Sequence, residues 1–313
     1  MSSRDTKLDD AARAAWLAYI GGMKQDEIAS IMGLSRQSVQ RLVSQAVAGG
    51  LVKTRIDHPI SQCMDLARDL KARYGLQICE VVPQLASDAA TGTAVSHATG
   101  HLIERWLSKP DPLILGIGTG RTLRGAVDHL PHLDCARHKI ISLTGNISPD
   151  GSTALYNVLF TMAEKVTAPT FPMPVPVISA SAGERTALLG QKTLATHHDL
   201  SLHTDIRFVG IGAIEGDAPL VLDGFITRED QARLLGKGAV GEIIGYVFDA
   251  GGQLIDDDIN TRVSSAPLPA SPVYPTIAAA HGHRKRPAIR AALDGKLING
   301  LITDEATAAA LLG

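Results

Sequence analysis

Cysteine, long apolar runs and recognisable nucleophile motifs are scarce or missing here, and each shortage removes a class of protein. The three cysteines among 313 residues, Cys63, Cys79 and Cys135, are odd in number and far apart. They offer neither a disulfide framework nor a CxxC metal pair, so they read as isolated packing residues, and no metal is expected. No run approaches the roughly 20 apolar residues a membrane helix needs, so no membrane partner is expected. The N-terminal MSSRDTKLDDAARAA lacks an apolar signal-peptide core, which makes a cytoplasmic location the expectation. There is no GxSxG and no HExxH, so no catalytic residue and no cofactor is assigned. Acidic residues are absent from Ile28 to Ile56 although the whole chain carries a net charge of −2. The field over that segment is therefore positive, through Arg36, Arg41, Lys53 and Arg55.

That segment also holds the clearest motif. Gln25 to Val47, QDEIASIMGLSRQSVQRLVSQAV, reads as two short helices about a tight turn. Ile28, Ala29, Ile31 and Met32 form an apolar side of the first helix, Gly33 supplies the backbone freedom for the reversal, and Leu34 is placed to fill the space beneath it. Ser35 is an N-cap whose hydroxyl suits the amide of Gln37 or Ser38, and the helix it starts puts Val39, Leu42, Val43 and Ala46 on one face. The other face presents Arg36, Gln37, Ser38, Gln40 and Arg41. Arginine bonds a guanine edge bidentately, glutamine an adenine edge, and serine or arginine a phosphate, so Ser35, Arg36, Gln37, Ser38, Gln40 and Arg41 are the DNA-contact candidates. The plain alternative is a helical hairpin with a solvated basic face. A supporting helix precedes the motif from Asp9 to Ile20, closed by Gly21-Gly22.

With 45% apolar and 20% charged residues, the chain is long enough for a second domain with a substantial core. LVKTRI after the motif is strand-like, either a rudimentary wing or the way out. Pro59 opens a helix with apolar residues at i, i+3, i+4 and i+7, a linker that either contributes a dimer contact or packs only on its own domain. The expected layout is a helix-turn-helix domain over 1–56, a linker helix over 57–74 and an α/β domain over 75–313. From Gly75 onward short apolar runs alternate with amphipathic helices, the pattern of βα units on a mostly parallel sheet. QICEVV, PLILGIG, KIISLTG, VPVISAS, IRFVGIGA, EIIGYVFD and GLITD read as strands. TAPTFPMPVPV reads as an irregular crossing, and DAGGQLI as a hairpin turn giving one antiparallel excursion.

The ligand signal lies in Leu115 to Leu123, LGIGTGRTL: an apolar strand, a glycine-rich turn, then a helix start. Gly116, Gly118 and Gly120 let backbone amides face outward, Thr119 and Thr122 add hydroxyls, and Arg121 adds a fixed charge at a helix N-terminus. The pattern is neither Walker A nor a dinucleotide fingerprint, which favours a phosphorylated or polyhydroxylated small molecule. The strand ends at Leu143-Thr144-Gly145-Asn146 and Gly210-Ile211-Gly212-Ala213 are candidates to line the same crevice. Asp249 either takes a sugar hydroxyl or sets up the turn before Gly251-Gly252. His281-Gly282-His283-Arg284-Lys285-Arg286 reads as a phosphate contact or a solvated turn. DDDIN at Asp256 to Asn260 lacks the spaced ligands of a calcium loop.

These motifs together resemble the SorC family of bacterial sugar-responsive transcriptional regulators, DeoR-like in part, over nearly the whole chain. AAWLAYIGGMKQDEIASIMGLSRQSVQRLVSQAVAGGLV is similar to the family's N-terminal DNA-binding domain, GIGTGRTL to its glycine-threonine effector loop, GAVGEIIGYVFDAGGQLI to its characteristic strand and turn, and PAIRAALDGKLINGLITDEATAAALL to its closing helix-strand-helix. The resemblance implies an N-terminal helix-turn-helix plus a C-terminal Rossmann-like domain related to sugar-phosphate isomerases and deaminases that senses an effector. It also implies operator DNA and a sugar or polyol, phosphorylated, as partners, and a homodimer or homotetramer. Carried over residue by residue, Gly118, Thr119, Gly120, Arg121 and Thr122 would hold a phosphate, Asp249 would lie near sugar hydroxyls, and Lys285 would supply a basic contact. Gly145 and Asn146 join this candidate set from their strand end. One departure is His281-Gly282-His283-Arg284, where the family is usually glycine-rich before that lysine. The AWLAY opening is similar to regulators of polyol catabolism, which makes a polyol or its phosphate the first expectation. The competing reading is a sugar-phosphate isomerase or deaminase with an accessory N-terminal domain.

Overall fold

The computed structural model describes residues 3–52, 59–148, 151–152 and 156–313. The chain divides into two units, Met1–His58 and Pro59–Gly313. The first holds α1 (Ser3–Tyr19), α2 (Gln25–Met32) and α3 (Arg36–Ala48). Local chemistry sets their ends. The Glu27 carboxylate accepts the Lys24 amide at 2.8 Å, Gly33 sits at φ 66° and closes α2, and the Ser35 hydroxyl accepts the Ser38 amide at 3.2 Å. Ala11, Ala15, Ile28, Val39 and Ala46 are buried. Leu34 departs from the sequence expectation: it is 39% exposed, the turn carrying it outward while those smaller and β-branched side chains fill the interior. Most of the LVKTRI run falls on 53–58, outside the described residues.

The second unit opens with α4 (Pro59–Tyr74), which packs on β1 (Ile78–Val82) and on the closing helix Glu305–Leu312. Cys63 and Leu70 are buried on its inner side, and the Tyr74 hydroxyl donates to Leu311 O at 3.0 Å. The helix read as a linker thus belongs to this unit. Seven strands then form one sheet whose described pairings are all parallel. They are β1, β2 (Ile114–Ile117), β3 (Lys139–Ser142), β4 (Thr170–Phe171), β5 (Ile206–Gly210), β9 (Thr276–Ala279) and β10 (Gly300–Asp304), in the order β1-β10-β9-β5-β2-β3-β4. A second, antiparallel sheet runs β6 (Gly212–Ala213), β7 (Ala239–Ile243), β8 (Tyr246–Asp249).

Both faces of the large sheet are covered, which is why its strands read as unbroken apolar runs. Ile140, Phe208, Ile277 and Ile302 join one core cluster, while their neighbours Ile141, Val209, Ala278 and Leu301 join the other. On the first face, α5 (Asp88–Leu107) crosses α6 (Arg121–Asp128) so closely that a Cβ on Gly100 would lie 2.7 Å from Ala126 O. Burial pushes the Cys79 thiol up to about 12, and all three cysteines are free.

Several segments differ from the reading of the sequence. EIIGYVFD is two strands, because Ile244 (φ 47°) and Gly245 (φ 91°) make a turn with both central residues at positive φ, and β7 folds back on β8. VPVISAS is not a strand: proline-broken, it contributes only isolated bridges at Pro176 and Ile178, and the edge strand β4 lies earlier, inside the segment read as a crossing. TIAA forms β9, an interior strand that alanine-rich composition conceals. Of the helix read in STALYNVLFTMAEKV, Val158–Ala163 is helical, and 153–155 lie outside the described residues.

The acidic run at Asp256 to Asn260 has a structural use. Asp257 caps the short helix Asp258–Arg262 by accepting the Ile259 amide at 3.1 Å, and its side chain meets Arg233 at 3.1 Å and Lys237 at 2.8 Å. These bonds, Arg233 first, hold its carboxyl well below the usual carboxylate range. A depressed carboxylate contributes stability above its unfolded pKa of about 3.9, and that contribution is lost as pH falls through the folded value. We expect Asp257→Asn to lower stability by about 2 kcal/mol at pH 7, a figure discounted because both cations are two-fifths exposed. The difference from wild type should shrink steadily as pH falls below the unfolded value of about 3.9; denaturant unfolding at pH 7 and at several acid pH values checks this.

Candidate functional site

The chain leaves β2, the sheet's fifth strand, outward through β3 and β4, returns to β5 beside β2, and then runs the other way through β9 and β10. The carboxyl ends of β2 and β5 therefore flank a switch point, where open α/β sheets collect ligands. The Gly118 amide donates to Phe208 O at 2.8 Å, tying the β2 loop to β5. A Cβ on Gly118 would stand 3.3 Å from Ile244 Cγ2, so the β7–β8 turn closes on the same loop. Gly120, at φ 117°, starts α6 in a conformation that side chains rarely adopt. The Thr119 hydroxyl donates to Tyr156 O.

A cleft of about 870 Å³, its open mouth included, lies over this point. Thr119, Gly120, Arg121 and Thr122 line it together with Gly210 to Gly212, Thr144, Asp223, Glu242, Ile244 and Lys285, among apolar neighbours such as Leu220 and Phe225. Four of these are charged. Burial raises Glu242, against the Gly245 amide at 2.9 Å and the charge of Lys285. Burial raises Asp223, against Arg121. Burial lowers Lys285, against Glu242, and Arg121 adds to the lowering. An anion placed between Arg121 and Lys285 would add to the countercharge that Asp223 and Glu242 already give them, while those carboxylates can accept hydrogen bonds from hydroxyls.

Of the residues selected from the sequence, Thr119 to Thr122 and Lys285 come together here. Gly118 lies just beneath, lining a smaller space with Thr119, Gly145, Asn146 and Tyr156. A Cβ on Gly145 would fall 2.4 Å from Val175 O, so that glycine is demanded by packing. Asp249 is not among the residues lining the cleft. Its Oδ1 accepts the Gly251 and Gln253 amides, both at 2.9 Å, which is the turn-forming alternative. Asp223, Glu242 and Ile244 were not singled out by the sequence; the one available signal was a carboxylate, Glu242, set within the apolar run around β7. Of the histidine-rich segment, the Gly282 amide donates to Asp304 Oδ2 and Thr307 Oγ1, both at 3.1 Å, which fixes the turn that delivers Lys285. Among the described residues no cluster suited to a metal ion is present.

In the first unit, Arg36, Gln37, Gln40 and Arg41 are exposed and Ser38 is half-buried. Arg36 meets Asp26 at 3.4 Å, both side chains largely in solvent.

Residues 58–313 match the family described as "Putative sugar-binding domain", and residues 8–48 match sigma-70, region 4. The erythritol catabolism regulatory protein EryD of Brucella abortus (strain 2308) is 36% identical over 313 residues, covering 100% of this chain and 98% of its own. The chain belongs to the SorC-like sugar-binding transcriptional regulators. The transcriptional regulator LsrR of Escherichia coli O9:H4 (strain HS) is 30% identical over 309 residues, covering 97% of this chain and 94% of its own. In fold, this regulator is similar to the full-length sorbitol operon regulator SorC from Klebsiella pneumoniae, with a TM-score of 0.73 at 24% identity, covering 98% of this chain and 99% of that one. A DeoR family transcriptional regulator from Listeria monocytogenes gives 0.72 at 23% identity, over 80% and 99%. As a member of this family the regulator is a DNA-binding transcription factor and not an enzyme, with DNA and a sugar effector as its partners. The isomerase or deaminase reading falls with that. No described helix is long and apolar enough to cross a membrane.

Proposed function

We propose that this regulator controls a polyol or carbohydrate catabolic operon and that a phosphorylated polyol or sugar, bound in the cleft at the switch point, changes its affinity for operator DNA. The observation that carries the reading is the meeting of Thr119-Gly120-Arg121-Thr122 with Lys285 across a cleft that also presents Asp223 and Glu242. Cations and hydroxyls at the β2 loop suit a phosphate, and carboxylates opposite suit the hydroxyls of a polyol. The 36% identical relative named for erythritol catabolism makes a four-carbon polyol phosphate the first ligand to try. The DNA is read by α3, with Arg36, Gln37, Gln40 and Arg41 reaching bases and phosphates and Ser35 and Ser38 fixing the helix start. Because operators bound by helix-turn-helix proteins are paired half-sites, the working form is a homodimer or homotetramer.

A thermal-shift panel of free polyols, free sugars and their phosphates tests the ligand class. A true effector present at a hundredfold excess over its Kd adds about 2.7 kcal/mol to the folded state. A phosphate ester should raise the midpoint and its dephosphorylated parent should do so far less. A panel with no response from any phosphate ester would contradict the cleft assignment.

A further inference from the structure

A second cavity in the Pro59–Gly313 unit, about 400 Å³ with its open part, shares no lining residue with the effector cleft. It lies among the helix Ala182–Leu189, the helix Ala195–Leu202 and the Ser265–Pro267 segment. We propose that it binds a small carboxylate carrying a short apolar tail.

The one fixed charge of its wall is the Arg185 guanidinium. His197 and His198 line it as well, burial holding His197 below an ordinary histidine, and no carboxylate does. Arg207, only 2% exposed, reinforces that charge from behind: it donates to Ser201 O at 2.5 Å and Pro267 O at 2.7 Å, both residues of the wall. Its remaining contacts are the Thr204 hydroxyl at 2.9 Å and the face of Tyr274 at 4.5 Å, so a buried guanidinium sits here with carbonyls, a hydroxyl and a ring around it in place of a counter-ion. Ser265 adds a second, independent sign. It is 2% exposed and its Oγ has no hydrogen-bond partner, a donor that a buried oxyanion would satisfy. His197 gives its Nε2 to a bond with Ser142 O at 2.8 Å, leaving Nδ1 as the ring's other polar atom.

The rest of the wall is apolar. Met173 and Leu194 belong to a small buried cluster, with Leu189 packed against it, and they offer a surface for a few methylene groups. The absence of a carboxylate from this wall separates it from the effector cleft, where Asp223 and Glu242 suit a polyol. A polyhydroxylated ligand finds no carboxylate acceptor here. A carboxylate with an alkyl tail matches both halves.

Calorimetric titration of the full chain with butyrate, against inorganic phosphate and sodium chloride at matched ionic strength, tests this. Butyrate should bind saturably, and Arg185→Gln and the cavity-filling Ser265→Val should each weaken it at least about tenfold. Lys285→Gln, which alters only the effector cleft, should leave butyrate binding within about twofold. Because Arg185 also holds Val263 O at 2.5 Å, circular dichroism should confirm folding of each variant, and the solvent-exposed His198→Ala supplies a variant free of that concern. Absence of saturable butyrate binding to the folded wild type overturns the proposal. So does binding that survives all three cavity variants, binding lost in Lys285→Gln, or phosphate binding at the same site as tightly as butyrate.

Discussion

Lys285→Gln should abolish the response to a phosphorylated polyol, weakening its binding by about a hundredfold or more while leaving DNA affinity of the ligand-free protein within about twofold. The residue reaches the cleft from the turn at Gly282, close enough to Arg121 to feel its charge, so a phosphate held between them loses one of two charge-assisted partners when the ammonium goes. Glutamine keeps most of the stem and a donor but no charge, which isolates the electrostatic part of the loss. The pH dependence has a definite sign. Burial lowers Lys285 below an ordinary lysine, and the ammonium is the form that holds phosphate. Affinity should therefore fall as pH rises through that lowered value, earlier than a solvated lysine would allow, and the Lys285→Gln protein should show no such fall. Calorimetric titrations at several pH values above 7 decide it. A hundredfold loss accompanied by an unchanged pH profile would place the lost contact elsewhere.

The second large effect lies at the other end of the chain. Replacing Arg36 and Arg41 together by alanine should reduce operator affinity by about a hundred- to a thousandfold and lower the slope of log affinity against log salt by about 2, since each phosphate contact contributes close to 0.9. Both side chains stand in solvent on α3, and neither belongs to the small core of Ala11, Ala15 and Ala46, so folding should be untouched. Gln37→Ala and Gln40→Ala act differently in this account. They should cost about 1–3 kcal/mol on the preferred sequence and much less on others, with the salt slope unchanged. Fluorescence anisotropy on operator and scrambled duplexes across a salt series separates the two patterns. If the double arginine variant keeps its affinity and slope, α3 is not the reading helix.

The helix-turn-helix was legible because each of its signals is local. A glycine for the reversal, a serine cap and an i, i+3, i+4 apolar side are decided within a turn or two of chain, and Gly33, Ser35 and Val39 occupy those roles in the structure. The β2 loop was legible for the same reason. What stayed hidden depends on tertiary context. β9 is four residues of Thr-Ile-Ala-Ala whose strand state comes from pairing with β5 and β10 on either side, and nothing in so small an alanine-rich run announces it. Ile244 was unreadable as a turn because a β-branched residue at φ 47° is strained and is held there by the packing around it. Asp223 and Glu242 reach the cleft from segments 100 or so positions after the β2 loop, and only the return of the chain past β5 brings them opposite Arg121. Asp249, which the sequence offered with two meanings, closes a turn.

Coupling between the cleft and α3 is the central requirement of the proposed function. The direct measurement is operator binding by fluorescence anisotropy on the DNA upstream of the gene's own operon, with and without a saturating phosphate ester identified by thermal shift. Operator affinity should change by tens of fold, about 2 kcal/mol of coupling, and that change should be lost in Lys285→Gln. A ligand that demonstrably occupies the cleft yet leaves operator affinity unchanged would contradict it.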